Sequence, residues 1–240
     1  LFPGLCRMNT RKPNPTNQVK FPDPWILPDE SEGLIYIGGN LSVENLINAY
    51  SAGIFPWPLE ESYPLFWFCP DSRGVLDFRD LHIPRSLQKL RKKNAYHFTF
   101  NRAFSQVMEE CAKQPRPGQE GTWIIPQMIP AYEEFHKEGY AHSIECWREK
   151  HLVGGLYGVC INGVFSGESM FHKEDNVSKL CVIEMALALK AKGLEWMDIQ
   201  MLTPVTELLG GHYISRREFL MRLREVHQKN PPIKLMLLGR

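Results

Sequence analysis

Apolar positions recur along this chain at helical spacing in some stretches and at strand spacing in others. Residues 41–53 predict a helix, because Leu46, Ile47 and Tyr50 fall on one face. Residues 83–93 predict a second helix, with apolar side chains on one face and basic side chains on another. Further helices are predicted at 126–138, at 178–192 with Ser178 as its cap, and at 215–227.

Between the later helices the spacing becomes that of strands. Asn162-Gly163 stands between two apolar runs, which predicts a hairpin with a two-residue turn. Residues 194–202 predict a buried strand in which Asp198 and Gln200 point to the same face, about 7 Å apart. The order of helix, hairpin, helix, strand and helix predicts an α+β fold with a mixed central sheet.

The first seventy residues differ in composition from the rest. Residues 1–30 are rich in proline and predict an extended arm, and residues 54–70 are aromatic but too rich in proline for a helix. These aromatic side chains are typical either of the core of a small lobe or of a wall for a ligand, and we favour the core. We expect a small N-terminal α/β domain with its arm over residues 1–70, and a larger catalytic domain over residues 71–240.

Composition and charge narrow the class of protein. The 240 residues are 43% apolar and 23% charged with a net charge of +1, which is ordinary for a globular protein and names no partner. The six cysteines form no CxxC pair and the eight histidines form no HxxxH pair, so we predict no metal site. We find neither a signal peptide nor an apolar run long enough for a membrane span, and we expect a cytoplasmic protein.

The predicted helix at 83–93 carries a local concentration of positive charge. Its basic residues are Arg85, Lys89, Arg91, Lys92 and Lys93. The segment from Leu81 to Met108 contains no Asp or Glu to balance them. This pattern is typical of a solvated helix face or of a surface that binds phosphates, and the residues alone leave both interpretations open.

Three polar side chains lie in otherwise apolar strands, where they are costly unless they are satisfied or used. Asp198 and Gln200 are either a solvated pair or a polar pair that faces a cleft. Glu168 follows Gly167, and it is either paired with a basic neighbour or held for an amine substrate. There is no nucleophile elbow, phosphate-binding loop or dinucleotide fingerprint, so an enzyme of this kind would act by positioning and hydrogen bonding.

Several long and unusual motifs give the chain a family resemblance. They are "GNLSVENLINAYSAGIFPW" (39–57), "WFCPDSRGVLDFRDLHIPRSL" (67–87), "EGTWI" (120–124), "HSIECW" (142–147), "LVGGLYGV" (152–159), "FSGESMF" (165–171), "NVSK" (176–179) and "DIQ" (198–200). In this order and composition the chain resembles the bacterial leucyl/phenylalanyl-tRNA–protein transferases, over roughly residues 34–224.

The resemblance implies an activity and its partners. Such an enzyme moves Leu or Phe, and in some cases Met, from its charged tRNA to the N-terminal Lys or Arg of a protein, which creates a degradation signal. It implies a larger domain that resembles the GCN5-related N-acetyltransferases. It also implies Leu-tRNA, Phe-tRNA and acceptor proteins as partners, no cofactor, no metal, no membrane and a monomer.

The resemblance also implies roles for particular residues. Asp198 and Gln200 match the catalytic pair, in which we expect Gln200 to orient the amine or the oxyanion and Asp198 to fix Gln200. The substrate-binding residues implied by motif are Trp57, Trp123, Leu156, Phe165, Glu168, Met170, Asn176 and Ser178. The basic helix, with Arg85, Lys89, Arg91, Lys92 and Lys93, would hold the acceptor stem of the tRNA by its phosphates.

Several positions depart from the family pattern, and two other functions compete with it. Val205 stands where the family usually has His, Val177 stands where its Asn-Ala-Ser-Lys motif has Ala, and Leu156 stands where the pocket wall often has Met. An acyl-CoA-dependent N-acyltransferase is one alternative, although the expected pyrophosphate loop is missing. A tRNA- or peptide-binding module that has lost activity is the other, and only Val205 supports it.

Overall fold

The computed structural model describes residues 18–27, 32–58, 64–114 and 123–229. Its helices are α1 (Val43–Ser51), α2 (Arg85–Lys92), α3 (Phe104–Lys113), α4 (Met128–Lys137), α5 (Val177–Ala191), α6 (Pro204–Leu208) and α7 (Arg216–Lys229). Its strands are β1 (Leu34–Ile37), β2 (Phe55–Pro56), β3 (Phe66–Phe68), β4 (Ser72–Asp77), β5 (His97–Phe100), β6 (Ala141–Arg148), β7 (His151–Ile161), β8 (Val164–His172), β9 (Trp196–Gln200) and β10 (His212–Ser215).

The strands form two sheets. A three-stranded sheet has the order β1-β3-β2, and a seven-stranded sheet has the order β10-β4-β9-β8-β7-β6-β5. Strands β8 and β9 are parallel, while the other neighbours in the large sheet are antiparallel. The predicted α+β fold with a mixed central sheet is therefore confirmed.

The long hairpin of β7 and β8 forms the middle of the large sheet. Asn162 and Gly163 join the strands, and their φ values are 49° and 87°. A two-residue hairpin turn of type I′ requires a positive φ at both of its central residues. The predicted hairpin is confirmed. The helix predicted at 41–53 is also confirmed as α1, whose N-terminus Ser42 caps by accepting a hydrogen bond from the Asn45 amide.

The large sheet separates two apolar cores. The first, here the α1 core, is formed by α1, α3, α4 and α7 on one face, and it includes Leu46, Tyr50, Val107, Tyr132, Tyr157 and Phe219. The second, here the α5 core, lies on the other face, and it includes Leu87, Leu156, Phe165, Ile183 and Met197. Because residues of the small sheet, such as Ile35 and Trp67, belong to the α1 core, one core joins the two sheets, and the division of the chain at residue 70 stays a prediction.

Strands β8 and β9 separate soon after they pair. Their register contains two pairs, Phe165 with Met197 and Ser166 with Asp198. Beyond these pairs the ladder between β7 and β8 has a bulge near Glu168, which bends a strand and re-aims its side chains. The seven-stranded sheet therefore opens between β8 and β9, next to Glu168 and Gln200.

Some elements differ from their predictions. Helix α5 begins at Val177 after Asn176, which has a φ of 69°, so Ser178 lies inside the helix and does not cap it. Strand β9 is shorter than the predicted 194–202, because the chain turns at Gln200. Most of the proline-rich arm at 1–30 lies outside the described residues, of which Pro24–Ile26 form a single 3-10 turn. Among the described helices, none is long and apolar enough to cross a membrane.

Candidate active site

A buried ion pair occupies the centre of the site. The Arg73 guanidinium on β4 donates from Nε to Asp198 Oδ1 over 2.8 Å and from Nη2 to Asp198 Oδ2 over 2.7 Å. The rings of Phe55 and Phe219 lie 4.6 and 4.5 Å from the guanidinium carbon. Burial alone would lower the pKa of Arg73, but the Asp198 carboxylate outweighs burial and raises this pKa.

Asp198 has two further donors around its carboxylate. Ser166 Oγ donates to Oδ2 over 2.9 Å, and the Gln200 backbone amide donates to Oδ1 over 2.9 Å. The carboxylate thus receives four hydrogen bonds at zero side-chain exposure. This arrangement satisfies a charge that would otherwise be too costly to bury. Because hydrogen bonds from the protein occupy the lone pairs of this carboxylate, Asp198 is poorly placed to accept a proton from a substrate.

Gln200 has an unusual backbone for a residue at the end of a strand. Its φ is 59°, and the Met201 amide bonds back to the Ile199 carbonyl over 2.6 Å, which closes a three-residue turn around it. Turns of this kind with positive φ are rare and strained, and a non-glycine residue in such a backbone costs about 1–3 kcal/mol. The turn directs the Gln200 carboxamide toward β8, where Nε2 donates to Glu168 Oε1 over 2.8 Å.

Glu168 connects the strands to helices on the α1 side of the sheet. The Tyr50 hydroxyl on α1 also donates to Oε1 over 2.8 Å, and the Tyr132 hydroxyl on α4 lies 2.7 Å from that of Tyr50. In the described structure Oε2 has no hydrogen-bond partner. Burial raises the pKa of Glu168 to about 8, with Asp198 adding to the increase and the Tyr50 hydrogen bond opposing it. Glu168 is therefore largely protonated at neutral pH.

The site is closed in this arrangement. Glu168 and Gln200 are 8% and 7% exposed, and their own hydrogen bond fills the opening between β8 and β9. A cavity of about 440 Å³ lies at the opposite end of β9, lined by residues such as Asp77, Lys190 and Trp196, and none of the site residues lines it.

Comparison with known proteins decides the family. Residues 75–224 match the family described as "Leucyl/phenylalanyl-tRNA protein transferase", and residues 39–71 match its N-terminal domain. The protein of that name from Colwellia psychrerythraea is 43% identical over 221 residues, which cover 90% of this chain and 91% of that one. The protein of that name from Saccharophagus degradans is 45% identical over 219 residues, covering 91% and 89%.

The chain belongs to the leucyl/phenylalanyl-tRNA–protein transferase family. It is an aminoacyltransferase, and this membership decides against the acyl-CoA-dependent alternative. Solved structures similar to the chain include L-PGS from Bacillus licheniformis, with 14% identity and a TM-score of 0.39, covering 63% of this chain and 48% of that one. A GCN5-related N-acetyltransferase from Kribbella flavida has 9% identity and a TM-score of 0.39, covering 70% and 58%.

The transferase residues expected from motifs lie on two faces of the sheet. Leu156, Phe165 and Met170 pack in or against the α5 core, while Glu168 reaches the α1 side with Tyr50 and Tyr132. Two other expected residues, Trp57 and Trp123, are partly buried against the α1 core. The remaining two, Asn176 and Ser178, lie at the start of α5. The opening between β8 and β9 lies between the two groups.

The structure gives two contacts in the transferase site that the sequence leaves open. Asp198 holds Gln200 as expected, and it does so through the backbone amide, while the Gln200 carboxamide is bonded to Glu168. Of the two alternatives for Glu168, the ion pair with a basic neighbour is absent in the described structure, and Lys179 donates to Asn176 Oδ1 over 2.8 Å. The bond from Gln200 to Glu168 depends on the turn at Gln200, which an alternating strand pattern cannot predict.

The basic helix of the transferase is present as α2, and its basic residues differ in their exposure to solvent. Arg85, Lys89, Lys92 and Lys93 are exposed. Arg91 is half-buried and donates from Nε to Glu184 Oε1 on α5 over 2.6 Å. The structure therefore leaves four of the five predicted basic residues open to solvent and uses Arg91 to join α2 to α5.

Sequence reasoning missed Arg73, Ser166, Tyr50 and Tyr132 as members of this transferase site. One signal could have found a cation, because an Asp in an apolar strand needs a partner. Arg73 lies 125 positions from Asp198, however, so the sequence alone could not select it. The helical spacing places Tyr50 on the buried face of α1, but it does not show which group the Tyr50 hydroxyl contacts.

Proposed function

We propose that this transferase moves Leu or Phe from charged tRNA to the N-terminal Lys or Arg of an acceptor protein, which marks that protein for degradation. The observation that carries the proposal is the network of Glu168, Gln200, Asp198 and Arg73 at the opening between β8 and β9. It offers aligned hydrogen-bonding groups and no nucleophile, as expected when the substrate ester is already activated.

The reaction requires no covalent enzyme intermediate. The acceptor amine attacks the ester carbonyl carbon, a C–N bond forms, and the C–O bond to the terminal ribose breaks. The proton lost by the amine passes to the departing ribose oxygen. A neutral carboxamide is too weak a base to remove that proton, so Gln200 orients the amine or the oxyanion by hydrogen bonding. Asp198 acts on Gln200 through the backbone amide, and Arg73 holds Asp198.

Glu168 is proposed to bind the α-ammonium group of the donor amino acid. Its Oε2 is buried without a partner in the described structure, so a donor group of the substrate can take that position. An adjacent ammonium favours the carboxylate and lowers its pKa from about 8. Binding at Glu168 is thus expected to release a proton from the enzyme, which an uncharged ligand would not do.

The donor side chain is proposed to pass between β8 and β9 toward the α5 core. Leu156, Phe165 and Met170 would then line an apolar pocket, where a polar side chain would lose its hydration without compensation. On the other side of the sheet, Trp57 and Trp123 would stack on the terminal adenosine, a contact worth about 1–3 kcal/mol per base. We further propose that Asn176 and Ser178 contact the substrate from the start of α5.

The exposed face of α2 is proposed to bind the acceptor stem of the tRNA. Arg85, Lys89, Lys92 and Lys93 are open to solvent, and no acidic residue lies between Leu81 and Met108. Phosphate contacts of this kind do not depend on base identity. They are compatible with a transferase that accepts the tRNAs of two different amino acids.

Three finer points belong to the same proposal. The chain would divide into an arm and small domain over residues 1–70 and a larger domain over residues 71–240, with Tyr50 of the first reaching Glu168 of the second. We also propose that the enzyme acts as a monomer. The enzyme would act in the cytoplasm, where charged tRNA is made.

The proposal is tested by transfer to a peptide. The protein is incubated with labelled Leu-tRNA or Phe-tRNA and a peptide that begins with Arg. The same peptide with an acetylated N-terminus, a peptide that begins with Ala, and Gln200→Ala serve as controls. We expect label only in the free Arg peptide, with loss in Gln200→Ala. Tight tRNA binding without any transfer would favour the inactive binding module, and equal transfer to the Ala peptide would contradict the acceptor specificity.

A further inference from the structure

The backbone around Gln200 is held by hydrogen bonds at three successive amides. The Gln200 amide donates to Asp198 Oδ1, and the Met201 amide donates to the Ile199 carbonyl. Both of these bonds lie within β9 and its turn. The Leu202 amide donates to the hydroxyl of Tyr213 over 3.1 Å, so the third bond comes from a different strand, β10.

Tyr213 reaches this turn by crossing the strand that lies between them. The strand order is β10-β4-β9, and in the register Tyr213 pairs with Gly74, which pairs in turn with Gln200. The phenol therefore extends across β4 at the position of a glycine. A Cβ on Gly74 would lie 3.1 Å from the Met201 carbonyl carbon and 3.3 Å from that of Gln200, so the turn packs directly on this glycine.

We propose that Tyr213 is a positioning residue for the Gln200 carboxamide. Its hydroxyl fixes the Leu202 amide directly after the strained turn, and Gly74 leaves the space that the turn needs. Without this bond the segment that follows the turn loses its anchor on β10, which loosens the placement of the carboxamide at Glu168. The inference rests on the proposed role of Gln200 in the transfer reaction.

The test removes only the hydroxyl. In Tyr213→Phe the ring is kept, and we expect kcat to fall by about tenfold while KM for charged tRNA stays unchanged, because misplacing a catalytic group impairs the chemical step. Amide hydrogen exchange at Leu202, followed by NMR, should become at least about tenfold faster as its bond is lost. Gly74→Ala should give the same division between kcat and KM by displacing the turn instead.

A matched control is Tyr96→Phe. The Tyr96 hydroxyl is also hydrogen bonded, to Glu174 and Arg148, but it lies near β5 at the other edge of the sheet. We expect this variant to keep the kcat of the original protein and the exchange rate of Leu202. An equal fall of kcat in both variants would overturn the proposal.

Two other results would also overturn it. These are unchanged Leu202 exchange in Tyr213→Phe, and faster exchange with unchanged kcat. If the unaltered protein transfers no amino acid at all, the proposed function fails. The exchange rate of Leu202 still decides in that case whether Tyr213 holds the turn.

Discussion

At the scale of single residues, Glu168 makes the stability of the protein depend on pH. Its pKa is raised by burial to about 8 in the folded chain, against about 4.3 in an unfolded one. Between these pH values the folded state binds more protons than the unfolded state. The contribution of Glu168 to the free energy of unfolding is therefore fully present below about pH 4 and is lost as the pH rises through 8. The loss approaches about 1 kcal/mol for each pH unit within this window.

Glu168→Gln should remove this dependence. Gln has no proton to lose, so the free energy of unfolding of the variant relative to the original protein should increase as the pH rises from 5 to 8. The measurement is urea unfolding of both proteins at several pH values. Groups such as His142, whose pKa burial lowers to about 4, titrate in both proteins and cancel in the difference. Parallel pH profiles would contradict the raised pKa of Glu168.

Asp198→Asn should destabilise the protein as well as reduce its activity. The change leaves the buried Arg73 cation without its charge partner, and breaking a buried ion pair from one side costs about 3–5 kcal/mol. Ser166→Ala is the matched control, because it removes one hydrogen bond to the same carboxylate and leaves the ion pair, at a smaller cost of about 1.5–3 kcal/mol. Thermal unfolding measures both. Equal stability of Asp198→Asn and the original protein would show that Arg73 does not depend on this carboxylate.

The same residues show how far the sequence alone could reach. Asp198, Gln200 and Glu168 stand out in it because each places a polar group in an apolar strand. Their contacts could not be predicted, because they depend on the positive φ of Gln200 and on Arg73, which is distant in the sequence. Local pattern fixes which side chains need a partner, and only the fold selects the partner.

At the scale of elements, α2 separates residues that bind from those that support the fold. Lys89→Ala with Lys92→Ala should raise the KM for charged tRNA more than it lowers kcat, since both side chains are exposed. The slope of binding against salt concentration should become shallower by about one unit for each phosphate that the variant no longer binds. Transfer kinetics at several salt concentrations measure both effects.

Two variants control this prediction. Lys137→Ala removes an exposed cation that pairs with Glu134 on α4, and it should leave the KM for tRNA unchanged. Arg91→Ala should lower stability instead, because Arg91 joins α2 to Glu184 on α5. An unchanged KM in the double lysine variant at physiological salt would remove α2 from the tRNA site.

The elements also differ in how well their patterns predict them. The β7–β8 hairpin and helices α1, α2 and α4 follow from strong turn signals and helical spacing. Strand β4 carries Arg73 and Gly74 within a short run, and no turn signal distinguished it, although it lies beside β9 in the sheet. The opening between β8 and β9 depends on pairing between strands separated by α5, which local spacing does not encode.

At the scale of the whole molecule, the N-terminal region is part of the main core. Tyr50 on α1 touches both Tyr132 and Glu168, so the site itself is built across residue 70. A Cβ at Gly53 would lie 2.7 Å from the ring of Phe219 on α7, which shows how closely the two regions pack. A boundary between sequence domains near residue 70 can therefore coexist with a single folding unit.

The last prediction follows from this shared core. A polypeptide of residues 71–240 lacks Leu46, Tyr50, Ile54 and Phe55, which are 5% exposed or less in the whole chain. Their loss uncovers an apolar surface on Phe219 and Tyr132, and each such side chain contributes about 1.5–3 kcal/mol when it is buried. The summed loss for these four side chains is comparable with the whole free energy of unfolding of an ordinary domain, so we expect the fragment not to unfold cooperatively.

Near-UV circular dichroism during urea unfolding measures the cooperativity of the fragment, with the whole chain as the control. Adding residues 1–70 as a separate polypeptide should restore the transition, because complementary fragments rebuild the same core. A sharp transition in residues 71–240 alone would instead show an independent catalytic domain.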